Sequence, residues 1–189
     1  MMDVRLPGFA NNLESQRCFR AILQAMSHPG LIITLDINLT PPAPLSVATA
    51  AALLTLVDAT VRVAMPENTG AGVDWLVFHT GARIAAAAEA DFIVASAPPS
   101  LANLYPGTDE EPEAGATLIL ELPGFGCGPL FRLTGPGIES NIMLQAPLDA
   151  AFIADWRMND ALAPRGIDLL LCAGASIVGL PRSVTIEEV

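Results

Sequence analysis

The sequence contains no lysine. Its 189 residues carry 9 Arg against 20 Asp plus Glu, a formal charge of -11 at pH 7. A Schiff-base enzyme needs a lysine amine, with pyridoxal phosphate or with a bare carbonyl substrate, and a Walker A loop needs one beside its Ser or Thr. This chain on its own is neither. Scattered arginines without lysines form no basic face for counterion release, so nucleic acid is excluded as a partner.

Histidine and cysteine are also scarce. His28 and His79 with dispersed carboxylates make no His-rich metal site, and a carboxylate-only magnesium site is the one metal option left open. Cys18, Cys127 and Cys172 are odd in number and unpaired in spacing, the pattern of free thiols rather than of a disulfide framework or a CxxC site. Long apolar runs are missing too, although mean hydropathy is +0.48. A spanning helix needs about 20 apolar residues; the run over 45–57 ends at Asp58, and that over 169–180 contains Gly174 and Gly179. Residues 1–12, with Asp3, Pro7 and Gly8, hold no apolar stretch of signal-peptide length. A cytoplasmic protein without membrane attachment is expected.

What is present is apolar and small: 52% of residues are hydrophobic, and 30 are Ala. A chain of this length buries roughly 70% of its unfolded surface, enough for a proper core. Asn11 or Asn12 is placed to cap a helix over 13–27, stopped by Pro29-Gly30. A β-branched run over 31–36 reads as strand, 45–57 as a buried helix and 60–65 as strand. Residues 74–81 read as a short helix capped by Asp74 and ended at Gly81, and 91–96 as a buried strand, after which Ser100 caps a brief helical turn. Residues 105–115 form an acidic loop. The runs 116–122 and 129–134, joined by a glycine-bearing loop, read as antiparallel hairpin neighbours. A helix over 147–161 and a buried strand over 167–173 follow, then a glycine-broken segment. The alternation predicts an α/β layered domain with a mixed sheet.

Several groups have chemical potential. Cys127 between Gly126 and Gly128 is a sterically open thiol in what reads as a hairpin loop. His28 sits where an imidazolium meets helix C-terminal carbonyls, a structural role. His79 lies at a helix end as a polar contact for a pocket or an interface. Gly135 and Gly137 bracket Pro136 directly after a strand, where backbone amides can form an anion-binding nest or simply a turn. Arg165 and Arg182 stand singly at strand edges, suited to phosphate or carboxylate or to pairing with this chain's surplus acids. None of these is a self-sufficient catalytic signature. Apolarity this high beside so few charges points to surface buried against another chain.

A series of motifs carries a resemblance. Phe19-Arg20-Ala21-Ile22-Leu23-Gln24-Ala25-Met26-Ser27-His28-Pro29-Gly30 and Ala52-Leu53-Leu54-Thr55-Leu56-Val57-Asp58 resemble the opening of the PhnH family, a subunit of the bacterial carbon-phosphorus lyase system. Asp74-Trp75-Leu76-Val77-Phe78-His79-Thr80-Gly81, Pro112-Glu113 with Gly115-Ala116-Thr117, Leu133-Thr134-Gly135-Pro136-Gly137-Ile138, Pro164-Arg165-Gly166-Ile167-Asp168 and Leu180-Pro181-Arg182 follow in the family's order. The similarity spans about residues 13–183, with Ser183 standing where the family has threonine.

The resemblance implies a three-layer α/β/α fold with a mixed sheet, similar to the large domain of PLP-dependent transferases but without PLP. It implies one domain over 1–189, with an N-terminal arm over 1–12 and a C-terminal tail over 184–189. A homodimer that joins the other lyase core subunits is expected, with no activity and no bound cofactor of its own. ATP is then the substrate of the complex, in which phosphonate displaces adenine to give ribose 1-phosphonate 5-triphosphate. No catalytic residue is carried over; His79, Gly135, Gly137, Arg165 and Arg182 are candidate ligand or interface contacts. The alternative is a stand-alone enzyme or binding protein for an anionic metabolite, its pocket formed by His79, Arg165 and the turn at 135–137.

Overall fold

Two apolar runs, 117–121 and 168–173, lie side by side as parallel strands and set the architecture. The computed structural model describes residues 7–189. Along these residues the order is α1 (Asn12–Ser27), β1 (Ile33–Thr34), α2 (Val47–Leu56), β2 (Arg62–Ala64), α3 (Gly70–Thr80), β3 (Arg83–Ile84), β4 (Phe92–Ala95), β5 (Thr117–Glu121), β6 (Leu130–Thr134), β7 (Ile142–Gln145), α4 (Ala150–Asp160), β8 (Asp168–Ala173), β9 (Ser176–Leu180) and β10 (Thr185–Glu188). A seven-stranded sheet runs β1-β9-β8-β5-β4-β2-β3, and a three-stranded sheet runs β10-β6-β7. In the large sheet β8, β5, β4, β2 and β3 are mutually parallel, while β9 and β1 continue it antiparallel.

Alternation along the strands divides the interior in two. Ile119, Leu170, Cys172 and Ile177 point to one face, where they pack with Cys18 and Ile22 of α1, Leu53 of α2 and Trp75 of α3. Their neighbours Leu118, Leu120, Leu169, Leu171 and Val178 point to the other, against Phe131 and Leu133 of β6 and Phe152 and Trp156 of α4. A mixed α/β fold with a large mixed sheet is therefore present. Its second covering layer is built from α4 and a small antiparallel sheet.

The start of α1 follows its sequence signals. Asn11 Oδ1 accepts from the Leu13 and Glu14 amides at 3.0 and 3.2 Å, and Glu14 Oε2 accepts from the Ala10 amide at 2.8 Å, so side chains satisfy donors on both sides of the helix entry. Gly81, with φ +71° and its N–H on Val77 O at 2.8 Å, ends α3 in the left-handed conformation open to glycine.

Several expectations differ from the structure. Residues 116–122 and 129–134 are not hairpin partners: β5 pairs with β4 and β8, whereas β6 pairs with β7 and β10. The cause lies in their patterns, since β5 is buried on both faces and has both edges taken, while β6 alternates and needs cover on one face only. The expected C-terminal tail carries β10, because Val184 and Ile186 are buried beneath α4 and the Trp156 indole donates to Val184 O at 2.7 Å. Asp74 does not cap α3, which starts at Gly70 as the continuation of a 3-10 turn over Glu67–Thr69. The glycine-broken segment is strand β9, paired with β8 through five registered positions from Ala173↔Ser176 to Leu169↔Leu180. Of the expected N-terminal arm, residues 1–6 lie outside the described residues, and Asn12 already belongs to α1.

Gly179 shows why β9 tolerates its glycine. A Cβ there would stand 2.6 Å from the Ala25 carbonyl carbon and oxygen, where α1 crosses the strand. Gly179→Ala is expected to cost about 1–3 kcal/mol through overpacking against backbone. Gly70→Ala, where a Cβ meets nothing within 4 Å, is the matched control and should be neutral or stabilising by up to about 1 kcal/mol. Urea unfolding midpoints of the two variants check the pair; equal midpoints would contradict this packing.

Candidate functional site

Two sequence motifs that lie more than a hundred residues apart meet at the end of α1. Its C-cap is His28, whose backbone N–H donates to Gln24 O at 2.9 Å, and Pro29 and Gly30 turn the chain away. The β6–β7 connection docks there through Gly137, at φ +84°, where a Cβ would lie 2.5 Å from Ser27 O and 2.9 Å from Pro29 Cδ. Only glycine permits both this backbone conformation and this approach. The junction leaves a cleft of about 310 Å³ lined by His28, Pro29, Gly137, Glu139, Ser140 and Asn141, among others.

His28 Nδ1 lies 3.1 Å from Ser27 Oγ and 3.3 Å from Gln24 O, and Ser27 Oγ donates to that same carbonyl at 3.2 Å. A proton on Nδ1 satisfies this network and leaves Nε2 as the accepting nitrogen. As its place at the helix end led one to expect, the His28 ring lies against a carbonyl of the last turn of α1. With an imidazole, a carboxylate, a hydroxyl and an amide but no arginine, the cleft offers mixed hydrogen bonding and little attraction for polyanions.

The arginines flagged in the sequence are engaged inside the chain. Arg182 makes a fork to Asp168, Nε to Oδ1 at 3.1 Å and Nη2 to Oδ2 at 2.5 Å, while its backbone N–H donates to Oδ1 at 2.8 Å. Its Nη1 donates to Pro112 O, so one guanidinium ties β8 and the exit of β9 to the acidic loop. Arg165 Nε lies 3.0 Å from Asp109 Oδ1 as a charge contact, off the line of a directional hydrogen bond. Beside them Asn159, on α4, clasps Ile167: Oδ1 accepts its N–H at 2.7 Å and Nδ2 donates to its carbonyl at 3.0 Å.

His79 sits in the last turn of α3, edge-on to Trp75 and Phe78 with ring centroids 5.0 and 5.1 Å away. Gly8 packs against its ring. Gly135, at φ +138°, faces Ser183 O and Val184 Cα. Among the described residues, none of the clefts of about 290, 310, 320 and 420 Å³ is lined by more than one of His79, Gly135, Gly137, Arg165 and Arg182, and of these five only Gly137 lines any of them. His79 stands on α3, Arg165 pairs with Asp109, and the 135–137 turn meets Ser27 and Ser183, so the three belong to different parts of the fold. What sequence reasoning missed are Glu139, Ser140 and Asn141, which join His28 only through the tertiary docking. It also missed the apolar cleft of about 290 Å³, which lies between Leu101, Leu104 and Pro106 and the α4 residues Asp155, Met158 and Asn159. No local pattern announces either.

Burial pushes the Cys18 thiol up to about 11, helped by Glu14, and the Cys172 thiol up to about 12 against a hydrogen bond from Thr49. Both stay protonated at neutral pH and serve as core volume. Cys127 is exposed. Among the described residues no group of three or more His, Cys, Asp or Glu side chains is placed to hold a metal ion.

Two outcomes follow from this geometry. Arg182→Ala should destabilise by about 2–3 kcal/mol, because Asp168 loses its charged partner, and Arg182→Lys should recover only part, since one ammonium cannot reproduce the fork. Denaturant midpoints at neutral pH read this, and a full recovery by lysine would contradict the bidentate role. A thiol reagent should titrate one cysteine, Cys127, in the native protein and all three after denaturation; Cys127→Ser should abolish the native reaction.

Comparison with known proteins bears on this whole arrangement. Residues 7–187 match the model of a family described as bacterial phosphonate metabolism protein, PhnH. The α-D-ribose 1-methylphosphonate 5-triphosphate synthase subunit PhnH of Rhizobium meliloti (strain 1021) is 34% identical over 183 residues, covering 93% of this chain and 91% of its own. A protein of Stutzerimonas stutzeri described as a putative C-P lyase subunit, HtxG, is 33% identical over 183 residues, covering 91% of this chain and 85% of its own.

Proposed function

The chain belongs to the PhnH family of bacterial phosphonate metabolism proteins, and from that premise we propose that it is a non-autonomous subunit of a carbon-phosphorus lyase complex. The reaction it supports is the ATP-dependent formation of ribose 1-phosphonate 5-triphosphate. There a phosphonate oxygen forms the bond to C1′ of the nucleotide ribose, the glycosidic bond breaks, and adenine leaves with a proton. The observation that carries this reading is near full-length similarity, at about one residue in three, to two proteins whose names place them as subunits of such systems.

The geometry supports the non-autonomous part. Arg165 and Arg182 are paired with carboxylates of their own chain, and the cleft beside His28 is lined by Glu139 and by no guanidinium. An anionic phosphonate or triphosphate therefore finds no ready cationic cradle at these positions. On this reading the catalytic groups reside mainly in partner chains, and this subunit completes or holds their site. A homodimer in the cytoplasm, a likeness to the large domain of PLP-dependent transferases, and the absence of a resident cofactor belong to the same proposal.

Adenine release from ATP in the presence of methylphosphonate, followed by chromatography, tests it. The purified chain alone should release none. Omitting it from the reconstituted subunits should slow release by about tenfold or more, a barrier change of about 1.4 kcal/mol or more. Release by the chain alone, or an unchanged rate without it, would refute the proposal.

A further inference from the structure

The large sheet contains a topological switch point, and a cleft sits on it. From β2 the chain passes through α3 to β3 on one side; from β4 it passes to β5 on the other, with β2 and β4 adjacent. The two connections also cover opposite faces. Trp75 and Leu76 of α3 pack with Val63 and Val94, whereas Leu101 and Leu104 of the β4–β5 connection pack with Ile93 and Leu118. In open α/β sheets, ligands bind beyond the carboxyl ends of strands where successive connections diverge in this way.

A cleft of about 420 Å³ opens there, lined by Ala64 at the end of β2, by Ile93, Val94 and Ala95 of β4, and by residues that directly follow β2, β3 and β4. The volume lies in the range of small-molecule sites. Its wall is chemically distinctive: Met65, Pro66, Ala86, Ala97 and Pro99 present methyl, thioether and pyrrolidine surface, Ser96 adds one hydroxyl, and no charged side chain lines it. The nearby arginines, Arg62 and Arg83, stand at the opposite, amino ends of β2 and β3. Glu67 follows Pro66 and Glu89 lies two residues beyond Ala87, so flanking charge disfavours phosphate. Alanine side chains leave a wide slot between the strand ends, and a thioether and proline faces suit the flat surface of an aromatic ring.

We infer that this cleft binds an uncharged planar heterocycle, and that its occupant is a purine base. The choice of purine rests on the function proposed above, in which adenine is the leaving group; the cleft and its preference for a neutral ring rest on the topology and the lining. The cleft then holds the base while the triphosphate is handled elsewhere in the complex.

Isothermal titration of adenine and of ATP into the full chain, and into the assembled complex, tests the inference. Adenine should bind. Ala97→Trp and Ala86→Trp, both at exposed positions on the cleft wall, should each weaken it about tenfold or more, near 1.4 kcal/mol. Ala102→Trp, which fills the other apolar cleft, should leave it unchanged, and circular dichroism should show all three folded. Absence of adenine binding to chain and complex alike, in a preparation whose adenine release still requires this chain, would overturn the cleft assignment while sparing the proposed function. Binding that survives both cleft tryptophans, or is lost with Ala102→Trp, would overturn it as well. Adenine release that does not need this chain would instead sink the functional reading and with it the choice of purine.

Discussion

The structure depends on one constraint: β5 and β8 must be covered on both faces. Their parallel ladder pairs Leu118 with Leu169, Ile119 with Leu170 and Leu120 with Leu171, and each of these side chains is essentially buried. A fully buried side chain of this kind contributes about 1.5–3 kcal/mol, so leaving either face open forfeits several such terms. The chain meets the requirement asymmetrically. Helices α1, α2 and α3 cover one face; α4 and the three-stranded sheet cover the other. The second sheet is thus a lid over the central ladder, and its edge strand β10 is the reason the last residues are ordered structure.

Much of this was legible in the amino-acid sequence, and the reason differs by element. The α1 cap, the left-handed stop at Gly81, the run that becomes β8 and the acidic loop depend on short-range chemistry, so local patterns sufficed. A glycine-bearing loop between two apolar runs resembles a hairpin, whereas the partners of β5 are chosen by burial on both faces. In β9, Gly179 looks like a breaker in isolation; it is required by the approach of Ala25 from a helix over 150 residues away. β1 shrank to Ile33–Thr34, at the edge of the sheet, where it pairs with β9 alone. Contacts made across such sequence distances leave no local trace.

The same division holds for the candidate site. Gly135 and Gly137, Arg165 and Arg182 stood out as residue types, and the structure gives most of them specific work inside the fold. Gly137 admits the end of α1, and Arg182 joins β8 to the acidic loop. Motifs that carry the family resemblance, such as Ser27-His28-Pro29-Gly30 and Thr134-Gly135-Pro136-Gly137-Ile138, are therefore in part the two halves of one internal joint. That joint fixes where His28, Glu139 and Asn141 are displayed. Exposed Phe19, Leu23, Phe78 and Met158 show that this chain leaves large apolar side chains in water when isolated, as expected for a protein that works against other chains.

The central claim is that this protein acts as a component and not alone. Native mass spectrometry of the chain, purified by itself and co-expressed with the other lyase core subunits, tests it most directly. The chain should enter a larger assembly at fixed stoichiometry, with little of it left free. A chain that remains apart while the other subunits form a complete, adenine-releasing complex would contradict it.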